Sequence, residues 1–223
     1  GVGGLTVLRE IYRQLPNESV LYFGDTARLP YGSRSPEEIL YFVRQILTWM
    51  AEQGVKMVMM ACNTSSALAL DQVQGEFPFP VLGRIRPGAQ AAALRGSRIG
   101  VIATQATVNS QAYTNAIQEI SPTCQVWEVG CPKFVPLVEQ NQINTPHAQH
   151  IAATYLRSLL TANIDTLVYG CTHYPHLAPV LTSILPGTVQ YVDPAVSMVA
   201  AAAQELDALG LRSSVPAWST EFY

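Results

Sequence analysis

Residues 55–64 read VKMVMMACNT and residues 164–172 read IDTLVYGCT. Each is a short apolar run, a small residue, a cysteine and then polar residues that lead into a helical pattern. An apolar run of this length that ends in turn chemistry and hands over to a helix reads as a βα unit. Cys62 and Cys171 therefore belong at the carboxyl ends of strands, the edge of an open α/β sheet where ligands bind. Two thiols in equivalent settings, one per half of the chain, suggest chemistry from opposite faces of one substrate.

Outward from these units the chain alternates. The pattern predicts strands over 19–23, 55–60, 81–82, 98–103, 125–129, 166–169 and 189–192. It predicts helices over 6–15, 36–53, 65–74, 87–94, 108–120, 146–161, 176–184 and 195–209. Such alternation implies an α/β fold with parallel sheets covered by helices. Ser35-Pro-Glu-Glu38 is a strong helix start, with an N-cap serine, a proline in the first turn and a glutamate to close a capping box. A boundary falls near Arg84-Ile-Arg-Pro-Gly88, after the rigid Phe77-Pro-Phe-Pro80, and a second strand–helix series starts at Arg98.

Composition narrows the function. Of 223 residues, 48% are hydrophobic and 13% charged, which suits a large core rather than disorder. The net charge of −3 and the lack of a Lys/Arg cluster argue against a nucleic-acid surface. Arg84, Arg86, Arg95 and Arg98 are spaced by apolar residues and read as structural or solvated. No apolar run approaches the roughly 20 residues that span a bilayer, and no stretch reads as a secretory signal. Four cysteines, at 62, 124, 131 and 171, are too sparse for a disulfide scaffold and point to a reducing cytoplasm. The opening Gly1-Val-Gly-Gly-Leu-Thr6 reads as the turn after a strand, and Ser219-Thr-Glu-Phe-Tyr223 stops without turn or tail, so both ends read as cut.

The two cysteine segments carry the chemistry. Residues after Cys62 open a helix, and a helix N-terminus favours a thiolate and binds a carboxylate. Asn63 and Thr64 add side-chain donors. Gly170 allows close backbone approach, Thr172 can bond a carboxylate, and His173 can hold, take or return the proton of Cys171. Cys124 and Cys131 read as small core residues. His147 and His150 share a helix face without a third ligand, so no metal site is expected. Gly1-Val-Gly-Gly4 lacks the Lys-Ser/Thr of a phosphate loop and reads as a turn. No C-x-x-C or G-x-S-x-G pattern is present.

These segments, with Phe23-Gly-Asp-Thr-Ala-Arg-Leu-Pro-Tyr-Gly32 and Phe134-Val-Pro-Leu-Val-Glu139, resemble the glutamate racemase family along essentially the whole chain. The resemblance implies two pseudo-symmetric parallel-sheet sandwich domains with the active site in the cleft between them. It places the first domain at 1–86 plus 196–223 and the second at 87–195. It implies racemization of L-glutamate to D-glutamate for peptidoglycan and cell shape, without a cofactor, by a cytoplasmic homodimer. Cys62 would take the proton from D-glutamate and Cys171 from L-glutamate, with His173 assisting Cys171. Tyr31, Gly32, Asn63, Thr64, Thr107, Thr172 and His173 would hold the substrate. In the family an Asp-Ser pair stands immediately before the opening glycines; here the chain starts at Gly1. Two rivals remain open. One is a sibling such as aspartate racemase, against which Pro30-Tyr-Gly32 and Cys171-Thr-His173 favour glutamate. The other is a silent amino-acid-binding protein, against which both cysteines stand.

Overall fold

The computed structural model describes residues 2–217 and 219–223. Gly1 of the opening glycine motif and Trp218 of the chain-end segment lie outside the described residues. The chain is α/β with parallel strand pairing throughout, as its alternation predicts. α1 (Gly4–Gln14) leads to β1 (Val20–Tyr22), and α2 (Pro36–Glu52) to β2 (Val58–Met59). α3 (Asn63–Val73), β3 (Val81–Leu82) and α4 (Ile85–Ala93) carry the chain to β4 (Arg98–Ala103). Next come α5 (Gln105–Ser110), α6 (Ala112–Ile120), β5 (Gln125–Gly130), α7 (Phe134–Glu139), α8 (Pro146–Thr161) and β6 (Thr166–Gly170). α9 (Ala178–Ile184), β7 (Gln190–Val192), α10 (Pro194–Ala208) and β8 (Thr220–Phe222) complete it.

The strands form one four-stranded sheet, in the order β5-β4-β6-β7, and two pairs, β2-β3 and β1-β8. In the large sheet Ile102 pairs with Val129 on one side and Tyr169 on the other. Its two faces are covered by separate cores. One gathers Phe134, Ile151, Leu156 and Leu181 from α7, α8 and α9, and the other Ala89, Tyr113 and Ile117 from α4 and α6. β2 and β3 pack against α2 and α3 through Ile39, Val43, Leu47 and Val73. α10 returns from the large sheet to pack against α1, with Met198 and Val199 fully buried beside Val7.

Local chemistry explains several starts. Ser35 and Glu38 form the expected capping box at α2, with Pro36 in its first turn. Thr145 caps α8, which runs over the predicted 146–161. Asp193 caps α10 by accepting from the Ala195 N–H.

Several elements depart from the sequence reading. The predicted helix 108–120 is two helices, because Gln111 between α5 and α6 adopts the left-handed conformation at φ 53°. The helix predicted from 176 is preceded by a 3-10 turn over Tyr174–Leu177. β2 is shorter than the predicted 55–60, since its partner β3 offers only Val81 and Leu82. α7 and β8, and 3-10 turns at Thr26–Arg28 and Tyr31–Ser33, were not expected. α7 has six residues with a proline inside, too short for periodicity to register. β8 exists through pairing with β1, about 200 residues away in the chain, a contact no local pattern encodes.

The chain passes between β2-β3 and the large sheet twice, at β3 to α4 and at β7 to α10. Arg84 sits at the first passage and Asp193 at the second. Arg84 is fully buried, and its Nη2 donates to Asp193 Oδ1 at 2.8 Å. Its backbone N–H donates to Ser66 Oγ, and its Nη1 reaches the Ala61 carbonyl at 3.5 Å. The arginine read as structural or solvated is structural.

Removing the carboxylate leaves a buried guanidinium without its counter-charge. Asp193→Ala is expected to lower the unfolding free energy by about 3–5 kcal/mol, whereas the apolar double replacement Arg84→Met/Asp193→Ala restores most of it. Denaturant midpoints of the two variants test this, and equal losses in both would contradict it.

Candidate active site

The two cysteine units meet at one cavity. Cys62 is the N-cap of α3, at φ −78° and ψ 126°, so its carbonyl accepts the first helical bond from Ser66 while its side chain stands at the strand end. The first N–H groups of α3 have no intrahelical acceptor and present the positive end of an 11-residue helix dipole. Cys171 follows β6 directly. Gly170 before it packs so tightly that a Cβ there would stand 2.7 Å from the Ile102 carbonyl, so only glycine lets β6 end where it does.

The cavity has a volume of about 1180 Å³. It is lined by Tyr31, Gly32, Cys62, Asn63, Thr64, Cys171, Thr172 and His173, and continues beneath α1 between β1 and β2. Of the residues expected to hold substrate, Thr107 alone does not line it. Thr107 is fully buried behind the wall, its hydroxyl 3.1 Å from Thr104 Oγ1 and 3.5 Å from Thr64 Oγ1. Thr104 takes the wall position because it is the N-cap of α5 and stands at the end of β4. An N-capping threonine at a strand end was the signal that could have found it.

The second thiol heads a chain of three groups. Cys171 Sγ lies 3.7 Å from His173 Nδ1, and His173 Nε2 lies 2.8 Å from Glu139 Oε1. Burial lowers the pKa of His173 more than the Glu139 carboxylate raises it, so the ring is neutral at physiological pH. A neutral ring beside a carboxylate keeps its proton on Nε2 and donates it to Glu139. Nδ1 is then free to accept the proton of Cys171. Burial pushes the Cys171 thiol up to about 12, and charge on the neighbouring Cys62 adds to the effect. The His173 backbone N–H, Arg84 and Thr172 act in the opposite direction.

Opposite, Tyr31 donates its phenol proton to Asp25, which also lies 3.6 Å from Arg28. Burial first, and this bond second, raise the Tyr31 pKa far above the ordinary tyrosine value. Thr64 and Thr104 hydroxyls share a bond of 2.9 Å across the cavity wall. Gly3 presses against the second cysteine loop: a Cβ on it would come within 2.3 Å of Thr172 Oγ1 and 2.7 Å of the His173 ring. Glu139 and Asp25 were absent from the expected site residues, although both lie inside the segments that carry the resemblance.

The remaining motifs stay outside the cavity. His147 and His150 are exposed on α8, and no group of three or more potential metal-binding side chains exists among the described residues. Cys124 and Cys131 are buried core residues. No helix among the described residues is long and apolar enough to cross a membrane.

The sequence profile of the Asp/Glu/Hydantoin racemase family matches residues 3–205. A glutamate racemase of Trichormus variabilis is 65% identical over 222 residues, all of this chain and 76% of that one. The chain belongs to the Asp/Glu/Hydantoin racemase family, and within it to the glutamate racemases. It is therefore a racemase, an enzyme of the isomerase class. Solved structures agree with the fold. A glutamate racemase isoform of Bacillus anthracis superposes with a TM-score of 0.94 at 35% identity, over 100% of this chain and 84% of that one. The Francisella tularensis glutamate racemase, solved in complex with D-glutamate, gives the same TM-score, identity and coverage.

The two thiols differ in access. Cys62 is partly exposed, whereas Cys171 is buried. Iodoacetamide at pH 8 is expected to modify Cys62 while leaving Cys171 unmodified, and raising the pH to 9.5 is expected to leave that order unchanged, because Cys171 still keeps its proton. Peptide mass mapping reads both rates. Faster labelling at Cys171 would contradict the burial described here.

Proposed function

We propose that this racemase interconverts L-glutamate and D-glutamate by two-base proton transfer between Cys62 and Cys171, without a cofactor. The observation that carries the reading is the meeting of the two strand-end thiols at one cavity, with carboxylate-binding groups between them. Supporting it, the relatives named above are glutamate racemases, and one of them was solved with D-glutamate bound.

The Cα–H of an amino acid is a very weak acid. Its removal needs a base on one face, an acid on the other and stabilisation of the charge that develops. Cys62 takes the proton from D-glutamate and Cys171 from L-glutamate, each returning one in the opposite direction. His173, kept in its Nε2–H form by Glu139, accepts the Cys171 proton and so makes that thiolate available when L-glutamate is bound. The N–H groups opening α3, with Asn63, Thr64 and Thr172, bind substrate carboxylate. Tyr31 and Gly32 close the opposite wall, and Thr107 acts from behind it by holding Thr64 and Thr104.

The cleft lies between a first domain of 1–86 plus 196–223 and a second of 87–195, joined at the Arg84–Asp193 pair. Closure of the two over substrate excludes water from the carbanion. The enzyme works as a cytoplasmic homodimer and supplies D-glutamate for peptidoglycan and cell shape.

Cys62→Ser and Cys171→Ser are each expected to lower racemization by at least about 100-fold. Both variants should still bind glutamate with an affinity within about threefold of the parent protein, read by calorimetry. Normal turnover in both variants would sink the two-thiol mechanism.

A further inference from the structure

Asn63 is 2% exposed and lines the cavity, yet its amide is half used. Its Oδ1 accepts a hydrogen bond of 2.6 Å from Tyr113 Oη, while its Nδ2 is buried with no partner among the described residues. An unpaired buried donor costs stability, and its presence in a cavity wall points to a group that arrives with a ligand. We propose that Tyr113 is a positioning residue that fixes the orientation of the Asn63 amide, so that Nδ2 is presented as a donor to substrate carboxylate. The inference rests on the reading above that Asn63 contacts glutamate.

The orientation follows from proton accounting. Tyr113 is fully buried on α6, and Asn63 Oδ1 is the one acceptor that its phenol proton finds among the described residues. Burial raises the Tyr113 pKa, so the phenol keeps that proton throughout the working pH range. A flipped amide would leave both the phenol proton and Oδ1 unsatisfied, and would turn an acceptor towards a carboxylate. The phenol itself is held in place where the two chain passages meet: a Cβ at Gly88 would lie 2.9 Å from Pro194 and 3.3 Å from the Tyr113 ring. Tyr113 comes from the half of the chain that carries Cys171, and Asn63 adjoins Cys62. Substrate grip beside the first thiol thus depends on how the second half is seated.

Steady-state kinetics of the full chain with both glutamate enantiomers test this. Tyr113→Phe removes one oxygen and keeps the ring. It is expected to raise KM about tenfold in both directions and to change kcat less than about threefold. In an Asn63→Ala background the same change is expected to cost less than twofold, because its target is gone. Asn63→Asp keeps the Tyr113 bond but replaces the donor with an acceptor, so its KM should exceed that of Asn63→Ala. An unchanged KM in Tyr113→Phe, a full tenfold loss in the Asn63→Ala background, or a parental KM in Asn63→Asp would each overturn the proposal. Turnover of glutamate by the parent protein tests the reading beneath it separately, since only the ratios between variants report on Tyr113.

Discussion

A single buried ion pair fixes how the two cysteine units face each other. Arg84 and Asp193 stand where the chain passes between its sheets, the guanidinium fully buried and the carboxylate half-buried. The guanidinium cannot leave for solvent without giving up its bonds to Asp193 and to the Ala61 carbonyl of the first half. Asp193 cannot move without uncapping α10, the helix that returns to cover α1. The positions of Cys62, one residue beyond Ala61, and of Cys171, at the end of the strand paired with β7, are thereby linked. Ion pairs this deep add little net stability compared with apolar packing. Their effect here is register between the two halves that carry Cys62 and Cys171.

The halves are similar in plan and unequal in chemistry. Both cysteines end a strand, but only Cys62 passes straight into an α-helix. Cys171 is followed by Thr172 and His173 and then a 3-10 turn, which gives room for the histidine to fold back beside the thiol. The proposed two-thiol racemization requires this inequality at each moment, since one sulfur must lack a proton while the other carries one. A buried thiol beside a neutral imidazole can be switched by a proton moved over a short distance. A thiol at a helix N-terminus is supported by fixed dipoles instead.

Much of this was legible in the residues. The repeated strand–small–cysteine pattern located both thiols at the cavity, and Ser35-Pro-Glu-Glu38 and Thr145-Pro146 located helix starts. Elements that depend on distant partners were not legible. β8 has no periodic signature and exists by pairing with β1. The break at Gln111 carries neither glycine nor proline, so a helical period runs through it unmarked. The resemblance places Thr107 among the substrate contacts; capping geometry puts Thr104 at the wall and Thr107 behind it. Glu139 lies on a six-residue helix with an internal proline, and its role depends on reaching His173, 34 residues later. Local pattern gives strand ends and caps; the pairing of side chains across the cleft needs three dimensions.

The most direct test of two-base transfer is racemization of L-glutamate in D2O without added cofactor, followed by NMR at early times. Proton removal by one thiol and return by the other predicts D-glutamate carrying solvent deuterium at Cα from the first turnovers, while unreacted L-glutamate keeps its protium. D-Glutamate that retains protium would instead mean that one base carries the same proton across, and would contradict the assignment of Cys62 and Cys171 to opposite faces.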